Sequence, residues 1–361
     1  MQWIRPSFDA SMAQVQSLIE AEVSSLSGGY DEGPLWTAAV NALTKLVQGP
    51  RRMVRPQLVM LGAMGAGGDP DHPGVVDFAA GVEMLHLFAL IHDDVMDNGT
   101  VRRGHPTLHR VLGGNLPRNR RSQGKMLAVL LGDLLHSQAT ARMTDGACKL
   151  VGGDVAIRTI LEGSRRAVVG QFLDLQGWAG PAGDLAPAAF RQVLLNKGGH
   201  HSITAPLMAG WRLVVPGAGL LAAQNWGDHI GLAFQGLDDL QDVLAEPGTT
   251  GKDNLQDLRE GRLSLVSHLL RLHVSEAEWE TLRPTLGQGM MTVEDRGQIF
   301  HLLARHQLIP RGLSFVREEL AAARKWRDGM EGPAGFRAGL AEVEVRLEAY
   351  VQRLETLPHP A

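Results

Sequence analysis

Two short acidic clusters hold the densest chemistry in this sequence. The first, His92-Asp93-Asp94-Val95-Met96-Asp97, closes an apolar stretch that runs from Met84 to Ile91 and is broken only by His86. The second, Gln235-Gly236-Leu237-Asp238-Asp239-Leu240-Gln241-Asp242, repeats the Asp-Asp-x-x-Asp spacing 145 residues later. On a helix the first and last aspartates of each cluster share a face, and the middle one lies about 100° round. Carboxylates this close repel one another, so their pKa values rise unless cations sit nearby. Facing each other across a cavity, two such clusters would make a strongly negative site. Mg²⁺ fits it, because that ion takes carboxylate oxygens while keeping waters and phosphate oxygens as its other ligands. A diphosphate bridged by Mg²⁺ would then neutralise both rims. One cluster alone would read as a solvated acidic helix end. An identical pair, each behind an apolar helix, argues against that.

Cations suited to phosphate surround the clusters. Arg102 and Arg103 follow the first one, in Thr100-Val101-Arg102-Arg103-Gly104-His105-Pro106-Thr107. Guanidinium groups make bidentate, charge-assisted bonds to phosphate, and Gly104 with Pro106 implies a turn that folds them back over the carboxylates. Upstream, Arg52 and Arg55 are three apart at the start of a helix and share its face. Lys197 lies on a later helix, and Lys252 follows Gly251 just past the second cluster. A single lysine is more often solvated than functional.

No G-x-S-x-G and no G-x-x-x-x-G-K-[ST] is present, which removes serine hydrolase and P-loop readings. What remains suits chemistry driven by loss of diphosphate. Cations stabilise the leaving group as a C–O bond breaks, and an apolar pocket keeps water from the carbocation. An allylic carbon makes such a cation accessible.

The elements that must position these groups are helices. Apolar residues recur at three- and four-residue steps, and strand-like alternation is scarce. The pattern predicts helices at about 9–26, 33–47, 51–65, 73–98, 122–143, 153–177, 187–212 and 217–245, then a run of shorter ones from about 263 to 357. With no linker, repeat or low-complexity tract, the expectation is one all-α domain over 1–361, a large bundle with a deep central cavity. Its chemistry lies in 49–265, and covering helices fill about 266–361. Of the 361 residues, 44% are hydrophobic and 20% charged, the balance of a chain with a sizeable core. A net charge of −4 argues against nucleic acid as the main partner. The lone Cys148 excludes internal disulfides and suits a reducing cytosol. The opening MQWIRPSFDA is no basic-then-apolar leader, no lipid-anchor motif closes the chain, and the apolar run from Met126 to Leu131 is far too short to span a bilayer. The expectation is a cytoplasmic protein with no stable membrane insertion.

The ordered set of motifs resembles the trans-isoprenyl diphosphate synthase (polyprenyl synthetase) family. It comprises Asp93-Asp94-Val-Met-Asp97, Arg102-Arg103-Gly104-x-Pro106-Thr107-x-His109, Gly132-Asp133, Gly170-Gln171-x-x-Asp174, Phe234-Gln235-x-x-Asp238-Asp239-x-x-Asp242, Gly251-Lys252 and Asp257-Leu258-x-x-Gly261-Arg262. The wording around Asp93 looks most like the actinobacterial geranylgeranyl diphosphate synthases. The resemblance implies the isoprenoid synthase fold, usually a homodimer, with about three Mg²⁺ per active site. Asp93, Asp97 and Asp238 match the metal ligands, joined by Asp94, Asp239 and Asp242. Arg102, Lys197 and Lys252 match groups on an allylic diphosphate. Arg52, Arg55, His86 and Arg103 match groups on isopentenyl diphosphate, and Gln235 and Gln171 match cavity positions near the reacting carbons. The implied activity is condensation of the two diphosphates to geranylgeranyl diphosphate, with farnesyl diphosphate next. Two departures bear on substrate geometry: Arg52 and Met53 stand where the family has Lys-Arg, and Lys197-Gly198 where it has Lys-Thr.

Phe88 lies five residues before Asp93, roughly 7.5 Å deeper along a helix axis. In the family an aromatic there favours short products; Ala89 leaves room beside it. The nearest rival is a class I terpene cyclase, which normally pairs one Asp-rich motif with an Asn/Ser/Glu triad; here both motifs are aspartates only. A non-catalytic partner subunit tends to lose those aspartates, and all six stand. A di-iron bundle needs two Glu-x-x-His pairs, and only Glu83-Met84-Leu85-His86 exists.

Overall fold

The computed structural model describes residues 8–27, 33–49, 53–177, 187–217, 220–244 and 254–357. These are helical apart from loops and one two-residue ladder, so the all-α expectation holds. They group into two compact units, one drawn from 1–158 and 209–218, the other from 159–208 and 219–361.

The first unit is built around α4, Pro73–Met96, which packs on α6 (Gln123–Ala147), α3 (Val54–Gly65) and α1 (Asp9–Ser25), with α2 (Gly33–Gln48) and α5 (Leu108–Gly114) outside them. α4 starts where the His72 ring nitrogen accepts from the Gly74 N–H at 3.0 Å and Pro73 occupies the first turn, positions that leave no helical bond unmade. It is apolar nearly all round. Val75, Phe78, Met84, Leu85, Leu87 and Ile91 are all buried, each contributing about 1.5–3 kcal/mol. By length and composition α4 is the one described helix that could cross a membrane, but 78% of its most apolar window is buried inside the protein, the mark of a core helix. Asp77 on α4 receives Arg142 and Lys149, and Arg142 also reaches Glu22, so α1, α4 and α6 share a half-buried ion network.

The second unit is built around α10, Leu221–Leu244. It packs on α15 (Leu308–Asp328), α16 (Ala334–Glu355), α12 (Leu265–His273) and the stretch before α9. That stretch corrects the expected single helix at 187–212. The chain forms α8 (Pro187–Leu194), then a ten-residue π-helix over Leu195–Thr204, then α9 (Ala205–Val214). Gly198 and Gly199 sit inside the π segment, and their missing side chains remove crowding from its wider turn. The expectation of only shorter helices towards the C-terminus also fails, because α15 has 21 residues and α16 has 22. Pro310 looks like a break in sequence but falls in the first turn of α15, where proline is tolerated. These helices do more than cover. Glu319 of α15 is buried and takes His229 at 2.8 Å and Arg191 at 3.0 Å, and Glu344 of α16 accepts the buried Trp226 indole at 2.9 Å.

Candidate active site

In the first unit the acidic cluster forms the last turn of α4. Asp97 caps the helix, its N–H on the Asp93 carbonyl at 2.8 Å. A ladder of β1 (Val101–Arg102) and β2 (His105–Pro106) follows, with Arg102 paired to His105. Its two turn residues, Arg103 (φ +53°) and Gly104 (φ +81°), both have left-handed backbones, as a two-residue hairpin turn requires. The hairpin returns Arg102 onto α4. Its Nε lies 2.8 Å and its Nη2 2.6 Å from Asp94 Oδ1, and Nη2 also reaches Asp93 Oδ2 at 3.1 Å. Burial pulls this guanidinium down, but the Asp94 bond and the charges of Asp94, Asp93 and Asp97 outweigh it and hold the pKa above the ordinary arginine value. The cation that the cluster needed is supplied five residues beyond it.

Beside this pair sits a second group of cations. Arg55 on α3 is half-buried and its pKa is pushed down to about 10, first by burial of its charged head and further by Arg103, against the opposing charge of Glu83. Arg55 and Arg103 therefore feel one another, with Glu83 between them in charge. His86 stands one turn beyond Glu83 on α4 and is half-buried. Arg103 Nη1 donates to the Leu46 carbonyl at 3.4 Å, and Lys45, Asp94, Arg102, Arg103 and His105 line a small open pocket. Phe88 is half-buried, edge-on to His92 (4.6 Å between ring centroids) and to His136 of α6 (4.9 Å), with Ala89 half-buried beside it.

In the second unit the aspartates of α10 divide their work. Asp238 is exposed. Asp239 is buried, its Oδ2 accepting from the Leu265 N–H at 2.6 Å and its Oδ1 from Gln235 Nε2 at 2.9 Å. Asp242 Oδ2 accepts the Asp257 N–H at 3.0 Å. Asp239 thus holds the start of α12, and Asp242 the start of α11 (Gln256–Glu260). Burial, reinforced by Asp257, pushes the Asp239 carboxyl well above the usual range, against Lys197 and the bonds from Leu265 and Gln235. Lys197, third residue of the π segment, places Nζ 3.0 Å from Asp174 Oδ1. Burial works against its charge, yet Asp174, Asp257 and Asp239 hold the ammonium above the ordinary lysine value. Asp174, on α7 (Gly153–Gln176) one turn after Gln171, also accepts from the Leu263 N–H at 3.0 Å and from Arg262 at 3.3 Å.

The structure thus gathers Asp93, Asp94 and Asp97 with Arg102, and Arg55 with Arg103, in one unit; in the other it gathers Lys197 with Asp239 and Gln235. Arg52 and Lys252 lie outside the described residues. Sequence reasoning gave no role to Asp174, Asp257 and Arg262, although each stands in a quoted motif; it offered no signal for Lys45, and it weighed Glu83 only as half of a Glu-x-x-His pair. Among the described residues no three His, Cys, Asp or Glu side chains converge into a ready-made metal cluster. An ion here would need further oxygens from water or substrate, which is how Mg²⁺ is commonly held.

The polyprenyl synthetase family model matches residues 37–303. The chain belongs to this family. Its members are prenyl diphosphate synthases, which are transferases, and they depend on magnesium. The chain is 31% identical over 258 residues to a short chain isoprenyl diphosphate synthase of Methanothermobacter thermautotrophicus, covering 69% of this chain and 72% of that protein. It is 33% identical over 245 residues to a geranylgeranyl diphosphate synthase of Mycobacterium tuberculosis, covering 67% of this chain and 64% of that protein. A farnesyl diphosphate synthase of Mycobacterium bovis aligns at 31% identity over 59% of this chain and 55% of its own length. The chain therefore spans less than two thirds of those two mycobacterial relatives. Among solved structures, a geranylgeranyl pyrophosphate synthase of Corynebacterium glutamicum, complexed with isoprenyl diphosphate and magnesium, superposes with a TM-score of 0.77 at 24% identity over 92% of this chain and 98% of that one. A polyprenyl synthase of Caulobacter crescentus, complexed with calcium and isoprenyl diphosphate, gives 0.76 at 24% identity over 96% and 95%. These likenesses establish the all-α isoprenoid synthase fold.

Proposed function

We propose that this chain condenses isopentenyl diphosphate with an allylic diphosphate to geranylgeranyl diphosphate, with farnesyl diphosphate as the second-ranked product, and works as a cytoplasmic homodimer. One observation carries the reading. Each unit ends or lines an apolar helix with the same Asp-Asp-x-x-Asp cluster, and each cluster has a half-buried cation in its field: Arg102 on Asp93 and Asp94, Lys197 near Asp239.

The donor set suits a hard, oxygen-seeking ion, with Asp93, Asp97 and Asp238 as ligands and Asp94, Asp239 and Asp242 supporting. About three Mg²⁺, when bound, would neutralise the diphosphate as it leaves. The chain's own residues do the rest. Arg102, Lys197 and Lys252 bind the allylic diphosphate and favour breakage of its C–O bond. Arg52, Arg55, His86 and Arg103 bind the isopentenyl diphosphate, whose double bond attacks the allylic cation and forms the new C–C bond. The proton lost from the neighbouring carbon passes to the released diphosphate. Gln235 and Gln171 border the reacting carbons, and apolar walls exclude water. Phe88, backed by His92 and His136, limits how far the product grows, with Ala89 leaving room beside it.

The test is product analysis with labelled isopentenyl diphosphate, each allylic primer in turn, and Mg²⁺. Labelled geranylgeranyl diphosphate is the expected product. Diphosphate release that needs no isopentenyl diphosphate would instead identify a cyclase, and an inert chain a partner subunit. In the same assay Phe88→Ala should lengthen the product by at least one five-carbon unit, read by chromatography; an unchanged product rejects the floor.

A further inference from the structure

The π segment and α10 meet along three successive rungs. At the first, the backbones of Gly199 and Gly231 touch: a β-carbon on Gly199 would come within 2.7 Å of Gly231 backbone atoms, and one on Gly231 within 2.9 Å of Gly199. One turn along α10, a β-carbon on Gly198 would overlap Gln235 Oε1. One turn further, Asp239 lies in the electrostatic field of Lys197. Residues 231, 235 and 239 share one face of α10, because they are four apart, and they meet 199, 198 and 197 in that order.

The middle rung differs in kind from the first. What a side chain at 198 would meet is the far end of a flexible side chain, which can move, not backbone, which cannot. Gln235 is buried, and its amide N–H is the bond on Asp239 Oδ1. We infer that Gly198 is a positioning residue: its missing side chain seats the Gln235 carboxamide over the π segment and so keeps that amide on Asp239, beside Lys197. In this chain a β-carbon at 198 re-aims Gln235, releases Asp239 Oδ1 and disturbs the groups proposed to serve the allylic diphosphate. Arg55 and Arg103, in the first unit, are untouched. This inference rests on the proposed activity.

The experiment compares the parent with Gly198→Ala, Gln235→Ala and the Gly198→Ala/Gln235→Ala double variant, in the full chain with Mg²⁺. Gly198→Ala should lower kcat/KM for the allylic diphosphate about tenfold, as expected for misplacement by a fraction of an ångström. KM for isopentenyl diphosphate should stay within about twofold. Once Gln235 is shortened there is nothing to push aside, so the double variant should match Gln235→Ala alone. Parental kinetics in Gly198→Ala, or losses that multiply in the double variant, would overturn the inference. If the parent itself shows no turnover, the functional reading fails, and crystal structures of the parent and Gly198→Ala decide this point separately. Gln235 moved off Asp239 in the variant supports the inference, and Gln235 unmoved overturns it.

Discussion

The two Asp-Asp-x-x-Asp clusters have the same spelling and different physics. In the first unit the cluster is half open, and one guanidinium binds Asp93 and Asp94 directly. In the second, Asp239 and Asp242 are tied to backbone N–H groups that open the next helices, and the nearest cation, Lys197, makes its ion pair with Asp174 rather than with the cluster. A motif therefore fixes which atoms are available, while the surrounding fold fixes how strongly each is already engaged. The first cluster depends on one mobile-ended side chain. The second is braced by main chain and by a larger set of charges, among them Asp257 and Arg262.

That difference can be broken by removing each cation. Arg102→Met removes a charge-assisted partner of the buried Asp94 carboxylate and should cost about 3 kcal/mol of stability. Lys197→Met should cost less, on the order of 1–2 kcal/mol, because Asp174 keeps Arg262 and the Leu263 N–H. Denaturant midpoints of the two variants give the comparison, and equal losses would reject it.

The local parts of this design were legible in the residues. The return of Arg102 onto the cluster follows from the Arg103-Gly104 turn a few residues away, and α4 follows from Pro73 and its apolar run. What could not be read depended on distant partners. Asp174, Arg262 and Lys197 meet from three separate stretches, and no local pattern announces that Asp239 will be buried rather than exposed like Asp238. The π segment was hidden for the same reason: its wide turn exists because Gly199 packs against Gly231, a residue 32 positions away. The lengths of α15 and α16, 21 and 22 residues, went unread in a stretch that mixes charged and apolar residues.

The two glycines of the second unit differ in what a side chain there would meet. Gly199→Ala forces two backbones apart and should cost about 2 kcal/mol, lowering the melting temperature. Gly198→Ala, which displaces one flexible side chain and its hydrogen bond, should lower it less. Equal thermal effects at the two glycines would mean that the contacts do not differ in kind.

A smaller effect concerns His200, next in the π segment. Burial, aided by Arg166 and opposed by Glu162, holds its imidazole down at about 4. Between an unfolded value of about 6.5 and that folded value, the unfolded chain binds a proton that the folded chain does not. The stability contributed by neutral His200 is therefore complete above about pH 6.5 and lost as pH falls towards 4. In His200→Gln the slope should vanish, so parent and variant should converge by roughly 1.4 kcal/mol per pH unit on acidification. Parallel stability curves would contradict the assignment.

The central claim of the proposed function is that Mg²⁺-dependent binding of the allylic diphosphate needs both Asp-rich clusters. Calorimetry with a non-ionising thio analogue of an allylic diphosphate tests it most directly, on the parent, Asp93→Ala and Asp238→Ala, with and without Mg²⁺. The account predicts one analogue bound per chain, only when Mg²⁺ is present, with affinity falling about a hundredfold or more in either variant. Two independent sites, each lost with only one of the substitutions, or binding indifferent to both, would contradict it.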